Sequence, residues 1–200
     1  MQSFTSVTSP AAPLMVANVD TITIAPASRL ADPGDGIGGV LYYQWRFNED
    51  GTEKPGFVLN QAPFRDAKII ISGPNFGCGS ARETAVSGHI EIGVTCIIAP
   101  SFSEIFFNNC FKNGLLPIIL PEAVVNGLAK EAAGGAPFTV DLASKTIRPP
   151  SGNEVSFAIP EFRRAQLLKG VEEVRLTLEM MDQIRAFQAG DKKMRPWIYL

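Results

Sequence analysis

The chain has 200 residues, of which 46% are hydrophobic and 19% are charged, a composition typical of a globular chain with one sizeable core. Its net charge of −2 argues against a nucleic-acid or anionic-membrane binder that depends on a broad positive field. The longest apolar runs, such as GLLPIIL, fall well short of the roughly 20 residues of a membrane span. We therefore expect a single domain over residues 1–200 with no nucleic-acid or membrane partner.

The cysteines are few and scattered. Cys78, Cys96 and Cys110 form neither an even set nor a CxxC pair, so a secreted disulfide framework is not expected. The start of the chain has no charged n-region followed by an apolar h-region, and the cytoplasm is the expected compartment. An iron–sulfur cluster or a zinc site usually takes about four closely grouped ligands. We expect no metal or cofactor to be bound by this chain, and any metal to come from another chain.

The first 56 residues give weak structural signals. Residues 1–26 predict a lead-in, a short strand near LMVANV and a turn at residues 18–21. Residues 31–56 combine glycine with aromatic side chains in a connection longer than about 15 residues, which is typical of a functional or mobile loop. A packed surface excursion is the alternative interpretation.

From residue 66 onward the pattern becomes regular. Short apolar runs separated by segments of helical character predict a βαβαβ order, with strands at AKIIIS, VTCIIAP and LLPIIL. Ser80 with Glu83, and Ser101 with Glu104, each fit a capping box, so we expect the two intervening helices to begin there. Gly114 follows Lys112 and Asn113 and is expected to end the second helix.

The remaining chain predicts a third helix and a further group of elements. The third helix is expected from Pro121 to Ala133. Beyond it, the sequence predicts an antiparallel strand pair formed by FTVDL and EVSFAI. It then predicts a short helix at PEFRRAQLLKG, a longer helix at LTLEMMDQIRAFQAG and a C-terminal tail at residues 189–200.

The stretch GPNFGCGS is predicted to be a strand-to-helix turn at the carboxyl end of a parallel strand, where ligands of open α/β sheets bind. Gly77 and Gly79 allow close approach of the backbone, and the helix start favours an anion. Arg82 adds a planar fork suited to carboxylate or phosphate. We expect an anion site, although Ser80 as a plain cap and Arg82 as a solvated helix residue remain alternatives.

Other familiar chemistries fit this stretch poorly. No lysine follows Gly79 as a Walker A loop requires, and the third glycine of GxGxxG is missing. His89, the single histidine, stands nine residues after Ser80, or about 13 Å along a helix, so a Ser–His pair is excluded within one helix. We expect His89 to be a partly exposed helix side chain, and the sequence offers no reason for Gly88 inside the same helix.

The string NFGCGSARETAVSGHIEIGVTCIIAPSFSEIFFNNCFKNGLLPIIL strongly resembles the small subunits of 3-isopropylmalate dehydratase, which are equivalent to the swivelling domain of aconitase. The likeness continues through ANVDT, WRF, FRR, LTLE and RPW and covers nearly the whole chain. It implies an α/β fold, a three-layer β/β/α swivelling domain around the βαβαβ segment. It also implies a hydro-lyase of leucine biosynthesis that interconverts 2- and 3-isopropylmalate by dehydration and rehydration.

The resemblance further implies a divided site. A large subunit would carry a [4Fe–4S] cluster whose open iron acts as Lewis acid, in a heterodimer or heterotetramer. Matching the family pattern GSSRE to GSARE makes Ser80 the base and Arg82 the residue that holds a carboxylate of the hydroxy-dicarboxylate substrate, and segment 31–56 would read the substrate's side group. Further substrate-binding residues are expected at Gly77, Cys78, Gly79 and Asp20.

Three departures from the family pattern leave the substrate open. Ala81 stands in place of a second serine, Thr84 in place of the histidine of REHA, and Ile22 in place of the second aspartate of VDTD. The alternatives are a related hydratase subunit for another hydroxy diacid, such as dimethylmaleate, citramalate or homoaconitate, and a non-catalytic anion-binding module.

Overall fold

A computed structural model describes residues 1–30, 36–80 and 82–199. Residues 31–35, which open the predicted loop, and Ala81 lie outside the described residues. The strands are β1 (Ser6–Leu14), β2 (Ile69–Ser72), β3 (Cys96–Ala99), β4 (Leu116–Ile119), β5 (Pro137–Asp141), β6 (Thr146–Arg148) and β7 (Val155–Ser156). The helices are α1 (Thr21–Ile24), α2 (Ala27–Leu30), α3 (Gly36–Gly39), α4 (Tyr43–Arg46), α5 (Thr84–Glu91), α6 (Glu104–Asn113), α7 (Glu122–Ala132), α8 (Glu161–Lys169), α9 (Glu173–Glu179) and α10 (Met181–Met194), with 3-10 turns at Val58–Asn60 and Pro196–Ile198.

The strands form one seven-stranded mixed sheet in the order β4-β3-β2-β1-β5-β6-β7. Strands β1 to β4 are parallel, and the predicted βαβαβ order of β2, α5, β3, α6 and β4 is confirmed. The predicted first strand at LMVANV is wrong, because the strand ends at Leu14. Pro10 and Pro13 lie inside β1, and prolines argue against a central strand when only the sequence is read.

The antiparallel half of the sheet differs in its pairing from the sequence prediction. FTVDL contains β5, which pairs with β1. EVSFAI contains β7, but β7 pairs with β6 and not with β5. Strand β6 has three residues, too few for alternation of polar and apolar residues to reveal it.

The start of α6 is displaced from the predicted capping box. Ser103 is the N-cap, and its side chain accepts a bond from the amide of Phe106 at 3.3 Å. The hydroxyl of Ser101 instead accepts from the amide of Asn75 at 2.8 Å, so the Ser101 cap is wrong. At the other end, Gly114 adopts a left-handed conformation with φ of 88°, and the predicted helix stop is confirmed.

The remaining helices largely follow the prediction. Helices α7 and α8 are confirmed, but the predicted long helix is divided at Met180 into α9 and α10. Neither glycine nor proline stands near Met180, so the sequence shows no break there. Helix α10 extends into the segment expected to be a tail. Within the described part of the chain, none of the helices combines the length and apolar character that crossing a membrane requires.

Both faces of the parallel strands are covered. All residues of β2 and β3 are buried, which accounts for their continuous apolar sequence. Ile70 and Ile97 belong to the core that includes residues of α5 and α6. Ile69 and Ile98 belong to the opposite core, which includes residues of α7 and α8.

A buried hydrogen bond joins the segment before α4 to helix α5. The Tyr42 hydroxyl lies 2.7 Å from His89 Nε2, and His89 Nδ1 lies 2.6 Å from the carbonyl of Ala85. Burial lowers the pKa of His89 to about 4, so the ring is neutral near pH 7; Nδ1 carries the proton and Nε2 accepts from Tyr42. Both side chains are fully buried, and the expectation of a partly exposed His89 is wrong.

Gly88 has a packing role that the sequence did not reveal. A Cβ atom at this position would lie 2.7 Å from Leu41 Cδ2 and 2.8 Å from Ile37 Cγ2. Glycine therefore lets α5 approach the segment of α3, and this contact offsets the low helix propensity of the residue.

Tyr42→Phe is expected to lower the free energy of unfolding by about 1–3 kcal/mol, because the buried Nε2 of His89 loses its donor while the ring packing is kept. Urea unfolding of the isolated chain, followed by circular dichroism, measures the change. The control is Tyr43→Phe, at a half-buried ring 4.0 Å from the Arg29 guanidinium, which should change the free energy by less than about 0.5 kcal/mol. Equal stability of Tyr42→Phe and the wild type would show that the bond contributes nothing.

Candidate functional site

The glycine-rich turn lies beyond the carboxyl end of β2, between the segments that follow β1 and β3. An isolated parallel bridge joins Cys78 to Asp20, and another joins Phe76 to Phe102. The Gly77 amide also donates to the carbonyl of Val19 at 2.8 Å. Three strand ends therefore meet at this turn, which is the kind of position where open α/β sheets bind ligands.

The two glycines of the turn have different surroundings. Both are left-handed, with φ of 72° at Gly77 and 85° at Gly79, a region that favours glycine. Gly77 is buried, and a Cβ there would lie 2.2 Å from Phe106 Cγ. The hydroxyl of Ser103 donates to the Gly77 carbonyl at 2.5 Å. Gly79 is exposed, so within this pair it is Gly79 that leaves bare backbone at the surface.

Ser80 is exposed, and hydrogen bonds from Thr21 hold its main chain and that of Cys78. The Thr21 hydroxyl donates to the Ser80 carbonyl at 2.7 Å, and the Thr21 amide donates to the Cys78 carbonyl at 2.9 Å. Helix α5 begins only at Thr84, with Glu83 as its N-cap and without a side-chain cap bond. The predicted capping box of Ser80 and Glu83 is therefore wrong, and plain capping is not the role of the Ser80 hydroxyl.

Arg82 is half-buried and stands two residues before the start of α5, and its carbonyl accepts from the amide of Ala85. The ion pairs within residues 1–30, 36–80 and 82–199 do not include Arg82. The neighbouring carboxylate of Glu83 accepts a bond from the Asn113 amide group at 2.9 Å. A guanidinium beside a helix start without a side-chain cap is an arrangement that suits an anion.

Asp20 lies against the turn but has a local structural bond. Its Oδ1 accepts from the amide of Thr23 at 2.5 Å and caps α1. A Cβ at Gly79 would lie 3.5 Å from the Asp20 Cβ, so the structure brings together Asp20, Cys78, Gly79 and Ser80. Ile22, in place of the second aspartate of the family pattern, is 51% exposed on α1.

The cysteines are poorly placed to share a metal. Cys96 and Cys110 are buried in the two cores, and burial raises the pKa of both thiols, which disfavours the thiolate ligand. Cys78 is half-buried in the turn. The described residues include no group of three or more histidine, cysteine, aspartate or glutamate side chains that could hold a metal ion. They do not fit an iron–sulfur cluster.

Thr21 is the residue of this site that sequence reasoning missed. It is buried, with 2% of its surface exposed, and its hydroxyl fixes the carbonyl of the candidate base. The available signal was its place in ANVDT, one of the stretches that carry the resemblance, but its bonding partner is 59 residues away. Sequence spacing gives no indication of such a contact.

Comparison with known proteins identifies the family of this chain. Residues 1–123 match the family described as Aconitase C-terminal domain, and residues 127–161 match LeuD_N. The 3-isopropylmalate dehydratase small subunit of Rhodospirillum centenum is 48% identical, over 98% of this chain and 98% of that protein. The subunit of the same name from Dinoroseobacter shibae is 44% identical, over 99% of this chain and 100% of that protein.

The fold is also found among solved structures. The crystal structure of 3-isopropylmalate dehydratase (LeuD) from Methanocaldococcus jannaschii superposes with a TM-score of 0.64 at 24% identity, covering 92% of this chain and 99% of that one. The expected α/β fold class of the aconitase C-terminal domain is thereby confirmed. From the full-length identity to curated relatives, this chain belongs to the family of 3-isopropylmalate dehydratase small subunits.

Proposed function

We propose that this chain, as the small subunit of a hydro-lyase, interconverts 2- and 3-isopropylmalate together with its large subunit, by removing and re-adding water. The observation that carries the proposal is the 44–48% identity to curated small subunits over almost the entire chain. The site on the described surface is compatible with it, because Ser80 and Arg82 lie in one turn at the carboxyl end of the parallel strands.

Ser80 is proposed to be the base that takes the proton next to the substrate carboxylate. A serine hydroxyl is a very weak base, so the alkoxide must be stabilised by nearby positive charge and amide dipoles. Arg82 stands two residues away, and α5 begins after it without a side-chain cap. The bond from Thr21 holds the Ser80 main chain, so that the hydroxyl is presented from a fixed turn.

Arg82 is proposed to bind a carboxylate of the hydroxy diacid. Its planar guanidinium can form two parallel bonds with one carboxylate. The acid next to it in the sequence, Glu83, is bonded to Asn113. Gly79 gives a ligand room to approach the backbone, whereas the Asp20 carboxylate is bonded to the Thr23 amide.

The iron–sulfur cluster is proposed to belong to the large subunit, since the described residues of this chain do not fit one. There it would supply the Lewis acid for the departing hydroxyl. Three cavities of about 260 to 450 Å³ on the described part of the chain are lined by residues other than those of the turn. With Ser80 exposed, we infer that substrate becomes enclosed only when the large subunit covers this edge of the sheet.

Segment 31–56 is proposed to read the substrate's side group, as the resemblance implies. Of this segment, the structure describes residues 36–56, which include α3 and α4. Tyr42, between these helices, bonds to His89 on α5. The segment is therefore connected through a buried contact to the helix that begins directly after Arg82 and Glu83.

Ser80→Ala in the assembled enzyme is expected to lower kcat by about 100-fold or more, because the proton acceptor is lost. The melting temperature should stay unchanged, since the Ser80 hydroxyl caps no helix. Steady-state turnover of 3-isopropylmalate and thermal unfolding provide the two measurements. Ser87→Ala, on α5 with its hydroxyl bonded to the Glu83 carbonyl, is the matched control and should keep its activity. Unchanged turnover of Ser80→Ala would remove Ser80 from the mechanism.

Arg82→Lys is expected to raise KM for 3-isopropylmalate about tenfold, because an ammonium keeps the charge but not the two parallel bonds. KM and kcat are measured separately with the assembled enzyme. Arg148→Lys, at an exposed arginine paired with Glu154, is the control and should leave both constants unchanged. The carboxylate role would be rejected by an Arg82→Lys enzyme with the KM and kcat of the wild type.

A further inference from the structure

The C-terminal part of the chain exposes an unusual amount of apolar surface. Seven large apolar side chains between residues 174 and 198 are 50–72% exposed: Val174, Leu178, Met180, Phe187, Met194, Trp197 and Ile198. Single exposed apolar residues are ordinary, but a contiguous apolar patch on a protein surface indicates an interaction site.

Ile184, Phe187 and Met194 form one line along α10, and Met180 is the N-cap residue that precedes the helix. At about 100° per residue, the three helical residues fall within an arc of about 80°. We call these four residues the C-terminal stripe. This arc is narrower than the apolar face of a helix that packs on a protein core, and it is wide enough to fill a single groove on a partner.

The end of the chain is folded back beside the C-terminal stripe. Asp191 lies on the same side of α10 and is 5% exposed. Its carboxylate accepts from Arg195 Nε at 2.6 Å and from the Tyr199 hydroxyl at 2.9 Å. These bonds position the 3-10 turn that carries Trp197 and Ile198, so the apolar surface continues from the helix into the final turn.

The body of the chain anchors this region without covering it. Helix α9 is tied to α8 by an ion pair of Lys169 with Glu179 at 2.7 Å and by another of Arg163 with Glu173. The principal contacts of α10 itself are with α9 and the final turn. Met180, Phe187 and Met194 of the C-terminal stripe thus stay at least half exposed and Ile184 is half-buried, although the supporting elements are fixed.

The C-terminal region lies beyond the two matched families but within the match to the curated small subunits. The matched families end at residue 161. The curated small subunits, in contrast, match 98–99% of the chain, so at most a few residues of the C-terminal region lie outside that match. A separately made subunit must bind its partner through non-covalent contacts.

The net charge of the C-terminal segment bears on the kind of partner that it can bind. Residues 180–199 carry two acidic side chains against the four basic side chains of Arg185, Lys192, Lys193 and Arg195, in a chain whose net charge is −2. A surface with an excess of one charge favours a partner without the same excess. A second copy of this chain would offer a helix with the same excess of positive charge, which favours a different protein as the partner.

We propose that the C-terminal stripe and the final turn dock into an apolar groove on the large subunit. This docking rests on the proposed function, because that function supplies the partner. Phe187 and Trp197 are the large aromatic side chains of the surface, the type that dominates binding energy at the centre of an interface. The subunits would then be held together at a place separate in sequence from the Ser80 turn.

Phe187→Asp tests the docking surface with the purified large subunit. Its Kd, measured by isothermal titration calorimetry, is expected to rise about 30-fold or more, as for loss of a buried aromatic anchor. The matched control is Ala189→Asp, which adds the same charge to the opposite, exposed face of α10 and should leave Kd within about threefold of the wild type. Phe187→Gln, which favours helix and adds no charge, should also weaken binding, and circular dichroism checks that both variants fold.

Turnover separates this proposal from the function on which it rests. At saturating large subunit, Phe187→Asp should recover wild-type kcat, whereas Ser80→Ala should bind normally and stay inactive. Wild-type Kd in both Phe187 variants would overturn the docking surface. The docking surface would also be overturned if the wild-type chain formed dimers, and if Phe187→Asp abolished these dimers without altering the Kd for the large subunit. Failure of the wild type itself to bind the large subunit would instead reject the proposed function.

Discussion

The arrangement of the site depends on the close packing around Gly77. Its amide is bonded to Val19 after β1, its carbonyl accepts from Ser103 after β3, and its Cα lies against Phe106 with no room for a side chain. The ends of three parallel strands are joined by these contacts. Ser80 follows three residues later, so the position of its main chain is determined by bonds that belong to the core of the fold.

The proposed division of the chemistry between two subunits rests on what this chain contains and what it exposes. It offers a hydroxyl, a guanidinium and a helix start in one turn, while its buried thiols have raised pKa values and lie in separate cores. A second surface, at the C-terminus, is apolar, and ion pairs between α8 and α9 hold the elements that support it. In the proposed assembly one surface completes the reaction site and the other provides attachment, so catalysis and binding can be altered independently.

The sequence predicted the parts of the structure that local pattern determines. Continuous apolar runs revealed β2 to β4, and the glycines with Ser80 and Arg82 revealed the candidate site. The true first strand was missed because Pro10 and Pro13 interrupt it. The burial of His89 and the role of Thr21 depend on partners 47 and 59 residues away, and such contacts exist only after the chain has folded. The C-terminal stripe, read as a helix, gave no sign that its apolar face stays uncovered.

The most direct test of the account is the turnover of 3-isopropylmalate by the purified chain alone, and by the same chain mixed with its large subunit loaded with an iron–sulfur cluster. We expect no turnover from either subunit alone and activity that rises with added small subunit until the large subunit is saturated. Turnover by the lone chain, or a stable but inactive complex with a fully loaded large subunit, would contradict the claim that this turn supplies half of a shared active site.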